Sequence, residues 1–181
     1  AEKAVNALTG KVPSSDEQLL INAYRATQYK QPQRFRDTYD ELISTGNIGL
    51  IKDQKLRLTA MRIYNVAAID KFAQEGVQSH YREAFRMSID NDIQRALAKQ
   101  SGDRYVERGN SPAILNALDY PCTLDLPQQE IDEAVKSLRS DPQLIPFLRV
   151  RIADIGTRLF DMTVNNTDIV EGLKVVIEEK P

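Results

Sequence analysis

The sequence holds one histidine, His80, and one cysteine, Cys122, and these two counts remove most catalytic chemistry at once. No site needing two imidazoles can be built. That includes helical di-iron bundles with paired Glu-x-x-His motifs, whose local order is reversed here as His80-x-x-Glu83. On a helix those two side chains sit one turn apart, which predicts a weak surface pair. Cys122 has no second thiol for a disulfide or a thiolate metal site, and it reads as an inert, half-buried residue. No Gly-x-Ser-x-Gly elbow presents a serine nucleophile. The close glycine pair in Gly46-Asn47-Ile48-Gly49 lacks a third glycine, a following Lys-Ser/Thr and a preceding strand, so it makes no phosphate cradle.

Carboxylates and arginines are what remain. Asp37 and Glu41 share a helix face, whereas Asp90 and Asp92 lie about 200° apart on one. Asp90-Asn91-Asp92 lacks the glycine and terminal glutamate of a calcium loop. Asp92 falls inside an apolar stripe beside Ile93, which predicts a buried carboxylate paired with an arginine from a neighbouring helix. Arginines outnumber lysines, 14 to 10, and Arg25, Arg34, Arg36, Arg57 and Arg62 gather in the N-terminal half. They would suit an anionic ligand, but Asp37, Asp40 and Glu41 are interleaved with them, so pairing within the chain is the expectation. Asn165-Asn166-Thr167 matches a glycosylation sequon and reads as a helix-capping loop. The residues therefore predict no catalytic, cofactor-binding or metal-ligating set, and they leave any ligand unassigned.

The elements that would position these groups are helices. From 77 to 97, Val77, Tyr81, Ala84, Phe85, Ser88, Ile89, Asp92, Ile93, Ala96 and Leu97 recur at period 3.6, which predicts one rod roughly 30 Å long at the centre of a bundle. Ser14-Ser15-Asp16-Glu17-Gln18 offers overlapping capping boxes ahead of Leu19, Leu20, Ala23 and Tyr24. Pro32 sits at a first turn before Phe35, Tyr39, Leu42 and Ile43, and Gly46 reads as a left-handed stop. Asp53 caps a helix through Leu56, Ala60, Ile63, Tyr64 and Ala67 to about Gly76. Leu58 and Met61 lie off that stripe, which predicts a central position. Gly109 to Pro112 is turn chemistry, with a short helix after Pro112 through Ile114, Leu115 and Leu118. Tyr120 to Leu124 is irregular or briefly extended. Pro127 starts a helix with Ile131, Ala134, Val135 and Leu138 inward. Asp141-Pro142 caps the next, which carries Leu144, Leu148, Ile152, Ile155 and Leu159 and a proline, Pro146, that would bend it. A last helix follows the 165–167 break with Ile169, Leu173, Val176 and Ile177. The expected fold is all-α, an irregular bundle of about seven to eight helices with little or no sheet, in a single helical domain over 1–181 whose residues 1–13 form an arm or linker.

Composition agrees with an ordinary globular chain. Of 181 residues, 41% are hydrophobic and 28% charged, too apolar for disorder. The net charge of −2 argues against nucleic acid as a partner. Residues 1–108 carry 17 basic and 14 acidic side chains and residues 109–181 carry 7 and 12, which is the balance of a solvated mixed surface. There is no run of 18 apolar residues. The chain begins at Ala1 rather than Met, so either an N-terminal segment such as a signal or anchor was processed away or the chain was cut.

Tyr39-Asp40-Glu41-Leu42-Ile43-Ser44-Thr45-Gly46-Asn47-Ile48-Gly49-Leu50-Ile51-Lys52-Asp53, continuing through Leu56-Arg57 to Tyr64-Asn65, resembles a family of uncharacterised bacterial membrane-anchored proteins. Ala23-Tyr24-Arg25-Ala26-Thr27-Gln28 upstream fits as well, so the likeness covers roughly residues 21 to 65, with a looser one at Asp141 to Ile155. Read physically, the stretch is a corner. A helix ends at Thr45, Gly46 turns the chain, Ile48, Leu50 and Ile51 plug the core, and Asp53 caps the next helix. The resemblance implies one N-terminal transmembrane helix ahead of a helical extracytoplasmic domain, hence a place on the periplasmic side of the inner membrane. It also implies a cysteine near Ser101 in some relatives, placed to pair with Cys122; serine stands here instead. It brings no activity, cofactor or ligand.

The expected role is thus non-catalytic: a membrane-tethered periplasmic domain that binds or senses, with a protein or small ligand as partner. It would touch the membrane only through its anchor. A cytosolic adaptor or scaffold is the alternative, followed by an enzyme built on carboxylates and arginines alone.

Overall fold

The computed structural model describes residues 1–29, 36–102 and 120–178. Among them are α1 (Glu2–Leu8), α2 (Asp16–Ala26), α3 (Asp37–Ser44), a 3-10 turn (Asn47–Leu50), α4 (Gln54–Asn65), α5 (Ala68–Val77), α6 (His80–Ser88), α7 (Asn91–Ser101), α8 (Gln128–Ser140), α9 (Leu144–Phe160), a π turn (Asp161–Asn165) and α10 (Thr167–Glu178). No strand occurs among the described residues, and the fold class is all-α, as the periodicity predicts. The expected turn at Pro32, the turn from Gly109 to Pro112 and the short helix after it lie outside the described residues, as do Arg34 and Phe35 and the side chains of Leu173, Val176 and Ile177.

The chain divides into two compact units whose boundaries fall inside α5 and α9: one comprises 1–29 and 75–153, the other 30–74 and 154–181. In the first, α2 is the hub. It packs against α1, α6, α7 and α8. Leu19, Leu20, Ile21, Ala23 and Ala26 are all buried, and three consecutive buried positions mean a helix covered on more than one side. Residues 1–13, expected as an arm, instead contribute α1, whose Ala4 and Ala7 belong to this core. Ser15 caps α2 by accepting from the Gln18 amide at 3.2 Å. Glu17 does not complete a box. Its Oε1 accepts from the Leu124 amide at 2.6 Å and ties the irregular segment after Tyr120 to α2.

The expected rod over 77–97 is broken. Ser79 caps α6 through the Arg82 amide, and Ile89 and Asp90 are extended, so α7 starts afresh at Asn91. The apolar stripe survives because Tyr81, Phe85, Ile89, Ile93 and Leu97 stay buried on both sides of the bend. The carbonyls that the break frees are satisfied. Gln94 Nε2 donates to Arg86 O at 2.9 Å and to Ile89 O at 2.7 Å, and Ser137 Oγ donates to Ser88 O at 2.7 Å. Val77 precedes α6 and is exposed. On α8, Ile131, Ala134, Val135 and Leu138 are all buried. Asp141 Oδ1 accepts from the Gln143 amide at 2.8 Å at the entry to α9, where Leu144 and Leu148 are buried and Ile152 is half-buried.

The second unit is thinner. Asp53 caps α4 through the Leu56 amide at 3.0 Å, but the expected continuation to Gly76 stops at Asn65, where Val66 turns extended. The central position expected for this helix is not found. Thr59 is its only buried residue, and Leu58 is exposed. Tyr39 and Tyr64 stack with ring centres 4.5 Å apart, Asn65 Nδ2 donates to the Tyr39 hydroxyl, and Arg36 Nη1 donates to Tyr64 O at 2.7 Å. Against α4 lies α10. Gly172 faces Thr59 so closely that an added β-carbon would sit 2.6 Å from its Oγ1, and Arg62 pairs with Asp168. Ile155 is half-buried, whereas Leu159, expected inward, is 62% exposed at the end of α9.

Candidate functional site

A concavity in the first unit lies at the α6–α7 bend. Ser88 to Ile93 and Arg95 form one wall, and Glu130, Glu133, Ala134 and Ser137 of α8 form the other, enclosing about 720 Å³. Four carboxylates, those of Asp90, Asp92, Glu130 and Glu133, line it beside a single arginine. Asp92 is not the buried carboxylate that the sequence predicts. It stands in the first turn of α7, its side chain is 81% exposed, and it pairs with Arg95 on its own helix. The cause is the bend, which resets the helix phase at Asn91 and turns Asp92 outward, where the helix N-terminus favours its charge. Asp90 occupies the cap position without a side-chain cap bond. Among the described residues no group of three or more His, Cys, Asp or Glu side chains is placed to hold a metal ion.

A second cluster joins distant parts of the same unit. Arg25, near the C-terminus of α2, donates through Nε to Ser101 O at 3.3 Å and through Nη2 to Tyr120 O at 2.8 Å and Cys122 Sγ at 3.3 Å. Its guanidinium lies over the Tyr120 ring, 4.6 Å from the centre. Cys122 is half-buried, and its Sγ touches Ser101 Oγ. The nearness of Ser101 to Cys122 is what the resemblance implies, whereas nothing in the sequence signals the part of Arg25, whose partners are 76 to 97 positions away. A guanidinium spanning two carbonyls fastens the 120–124 segment to the ends of two helices. Tyr81 nearby is fully buried and donates its hydroxyl to Ala23 O at 2.8 Å; burial pushes its phenol well above the usual range.

The remaining candidates are dispersed. His80 and Glu83 form an exposed contact of 3.7 Å, the weak surface pair expected, with the His80 ring tilted against Phe147. The arginine group does not converge on a ligand. Arg36 pairs with Asp40 at 3.2 Å, which raises its pKa. Arg57 Nη1 donates to Ile51 O at 3.3 Å, Arg62 holds Asp168, and Arg25 serves the cluster above. Asp37 and Glu41 are both exposed on α3. Asn166 Nδ2 donates to Asp161 O at 2.8 Å and Asn165 Nδ2 to Asp161 Oδ1 at 2.7 Å, so the sequon asparagines brace the π turn ahead of α10.

The Gly46 corner has the expected backbone and an unexpected surface. Gly46 is left-handed at φ 71°, and the 3-10 turn follows. The plug does not form as expected. Ile48 and Ile51 are half-buried and Leu50 is 64% exposed. Ile43, Leu56 and Leu58 around it are exposed too, as are Leu159, Phe160 and Val164 further along the same unit. The tight 3-10 spiral has three residues per turn, so Leu50 does not share the inward side with Ile48. The chain matches no family model, no curated protein and no solved structure.

Proposed function

We propose that this chain is a non-catalytic interaction domain that works by protein contact, held on the periplasmic side of a bacterial inner membrane by an N-terminal anchor. The observation that carries the contact role is the run of large apolar side chains left in water on the second unit. They fall in two stretches, Ile43 to Leu58 and Leu159 to Val164. Single exposed apolar residues need no explanation, but seven in two short stretches are costly unless something covers them. The location draws support from the resemblance of residues 21–65 to membrane-anchored extracytoplasmic domains.

Two measurements test the reading. A photo-crosslinking residue placed at Leu50 or Phe160 in the full-length protein in cells should give discrete protein adducts. The same residue at exposed Lys136 on α8 should give none. Equal labelling at all three positions would sink the contact role. Protease added to spheroplasts should digest the domain; protection there, with digestion only after lysis, would favour the cytosolic adaptor.

A further inference from the structure

The corner that joins α3 to α4 has opposite charges on its two arms. On α3, Asp37, Asp40 and Glu41 are exposed and lie about 100° to 200° round the helix from buried Tyr39. On the approach to α4 and its first turn, Lys52 and Lys55 are exposed, and Asp53 between them is engaged by the Leu56 amide at 3.0 Å. In and around the corner the chain exposes Ile43 at 44%, Leu50 at 64%, Leu56 at 40% and Leu58 at 48%. Arg36 engages Asp40, but Asp37, Glu41, Lys52 and Lys55 make no ion pair among the described residues.

We infer that a second copy of this chain docks on this corner. The acidic arm of one copy lies against the basic arm of the other, and the exposed leucines meet around the two-fold axis. The inference rests on reading the chain as an interaction domain and names its partner. A two-fold contact is self-matching by construction, because whatever residue i meets in the partner meets residue i in return. A corner with one acidic arm, one basic arm and apolar residues on and beside them satisfies that condition twice. The same surface disfavours other occupants. The carboxylates of α3 would be repelled by an anionic bilayer or by a nucleic acid, and the lysines would be repelled by a basic peptide. Leu50, the most exposed of these side chains, would lose its water at the dry centre of such a contact, with the charged arms setting register at its rim.

Sedimentation equilibrium on the whole chain, from micromolar to sub-millimolar concentration, reads the result. The expected mass rises from one chain to two, with a dissociation constant that increases with salt. Leu50→Asp should weaken association by at least about tenfold. Glu41→Lys and Lys55→Glu should each weaken it several-fold by setting like charges opposite one another. The double variant, Glu41→Lys with Lys55→Glu, should restore the wild-type constant, because exchanging the charges regenerates the match. Leu50, Glu41, Lys52 and Lys55 are all exposed, and far-UV circular dichroism confirms that each variant is helical; Lys52→Glu stands in for Lys55→Glu where that one is not. Three results overturn the inference: a monomer at every concentration, a dimer indifferent to the corner variants, and a dimer that the charge exchange fails to rescue. A chain that stays monomeric yet sediments with anionic vesicles also overturns it. In each case the wider contact role stands or falls separately, on the crosslinks in cells.

Discussion

The spacing of α4 and α10 is set by one missing methyl group, and this can be tested by a double-mutant cycle. Gly172 lies within α10, opposite buried Thr59 of α4. A β-carbon at Gly172 would stand 2.6 Å from Thr59 Oγ1, 2.8 Å from its Cγ2 and 3.3 Å from its Cβ. The first two are about an ångström inside normal contact, and a β-branched side chain held in a helix has one preferred rotamer and little room to yield. Overpacking of this kind costs about 1–3 kcal/mol, while replacing glycine by alanine in a helix returns about 1 kcal/mol of propensity. Gly172→Ala should therefore destabilise by up to about 2 kcal/mol. In a Thr59→Ala background both colliding atoms are gone, and the remaining 3.3 Å contact needs only a few tenths of an ångström. There the same substitution should stabilise by about 1 kcal/mol. The effect moves from destabilising to stabilising, with a coupling of about 1–3 kcal/mol between the sites. Urea denaturation of the four proteins, followed by circular dichroism at helical wavelengths, measures it. Equal effects of Gly172→Ala in both backgrounds would refute the claim that Thr59 sets the spacing.

Three further outcomes follow from the first unit. Ser101→Cys should pair with Cys122, since Ser101 Oγ already touches Cys122 Sγ; a thiol titration should find no free cysteine, and closing this loop of roughly 20 residues should add about 3 kcal/mol. Arg25→Met should cost about 3 kcal/mol in urea unfolding, because the carbonyls of Ser101 and Tyr120 and the face of the Tyr120 ring lose their cation together; a neutral result would remove the fastening role. Tyr81→Phe should cost about 1 kcal/mol at neutral pH through the lost bond to Ala23 O. The pH response of that phenol has a definite sign. Burial raises its folded-state pKa above the ordinary phenol value of about 10, so at higher pH the unfolded chain releases a proton that the folded chain keeps. Stability should then fall as pH rises past about 10, and unfolding midpoints of Tyr81→Phe across that range should fall less steeply.

What could be read in the sequence was local. Ser15, Asp53 and Gly46 do what their types predict, because a cap or a left-handed turn involves residues two to four positions away. The inward face of α8 was equally plain, since four apolar residues at helical spacing follow a proline that can only start a helix there. The break at Ile89 was hidden by its own spacing. Tyr81, Phe85, Ile89, Ile93 and Leu97 fall every fourth residue, and that series stays apolar and buried whether the helix runs on or bends. Misreading the bend put Asp92 inside, although the Ser88 and Asp90 types around Ile89 are those found where helices stop and restart. The Arg25 cluster was illegible for a different reason: nothing near residue 25 foretells a carbonyl at 120 or a thiol at 122. The second unit was misjudged because periodicity reports which side of a helix is apolar, and not whether anything in the chain covers it. Leu58 lies in water all the same.

The bend between α6 and α7 also bears on when this part of the molecule acquires its shape. Of the groups that make the kink tolerable, one is a hydroxyl from α8, 49 residues downstream, and the amide of Gln94 reaches back to the emptied carbonyls only once the chain has turned. Excised as a peptide, residues 77–101 lack that distant hydroxyl, and a straight spiral would pair the carbonyls of Arg86, Ser88 and Ile89 without help. The angular form therefore belongs to the assembled unit and not to the segment. During synthesis it should appear after α8 has docked, when a rod gives way to an elbow.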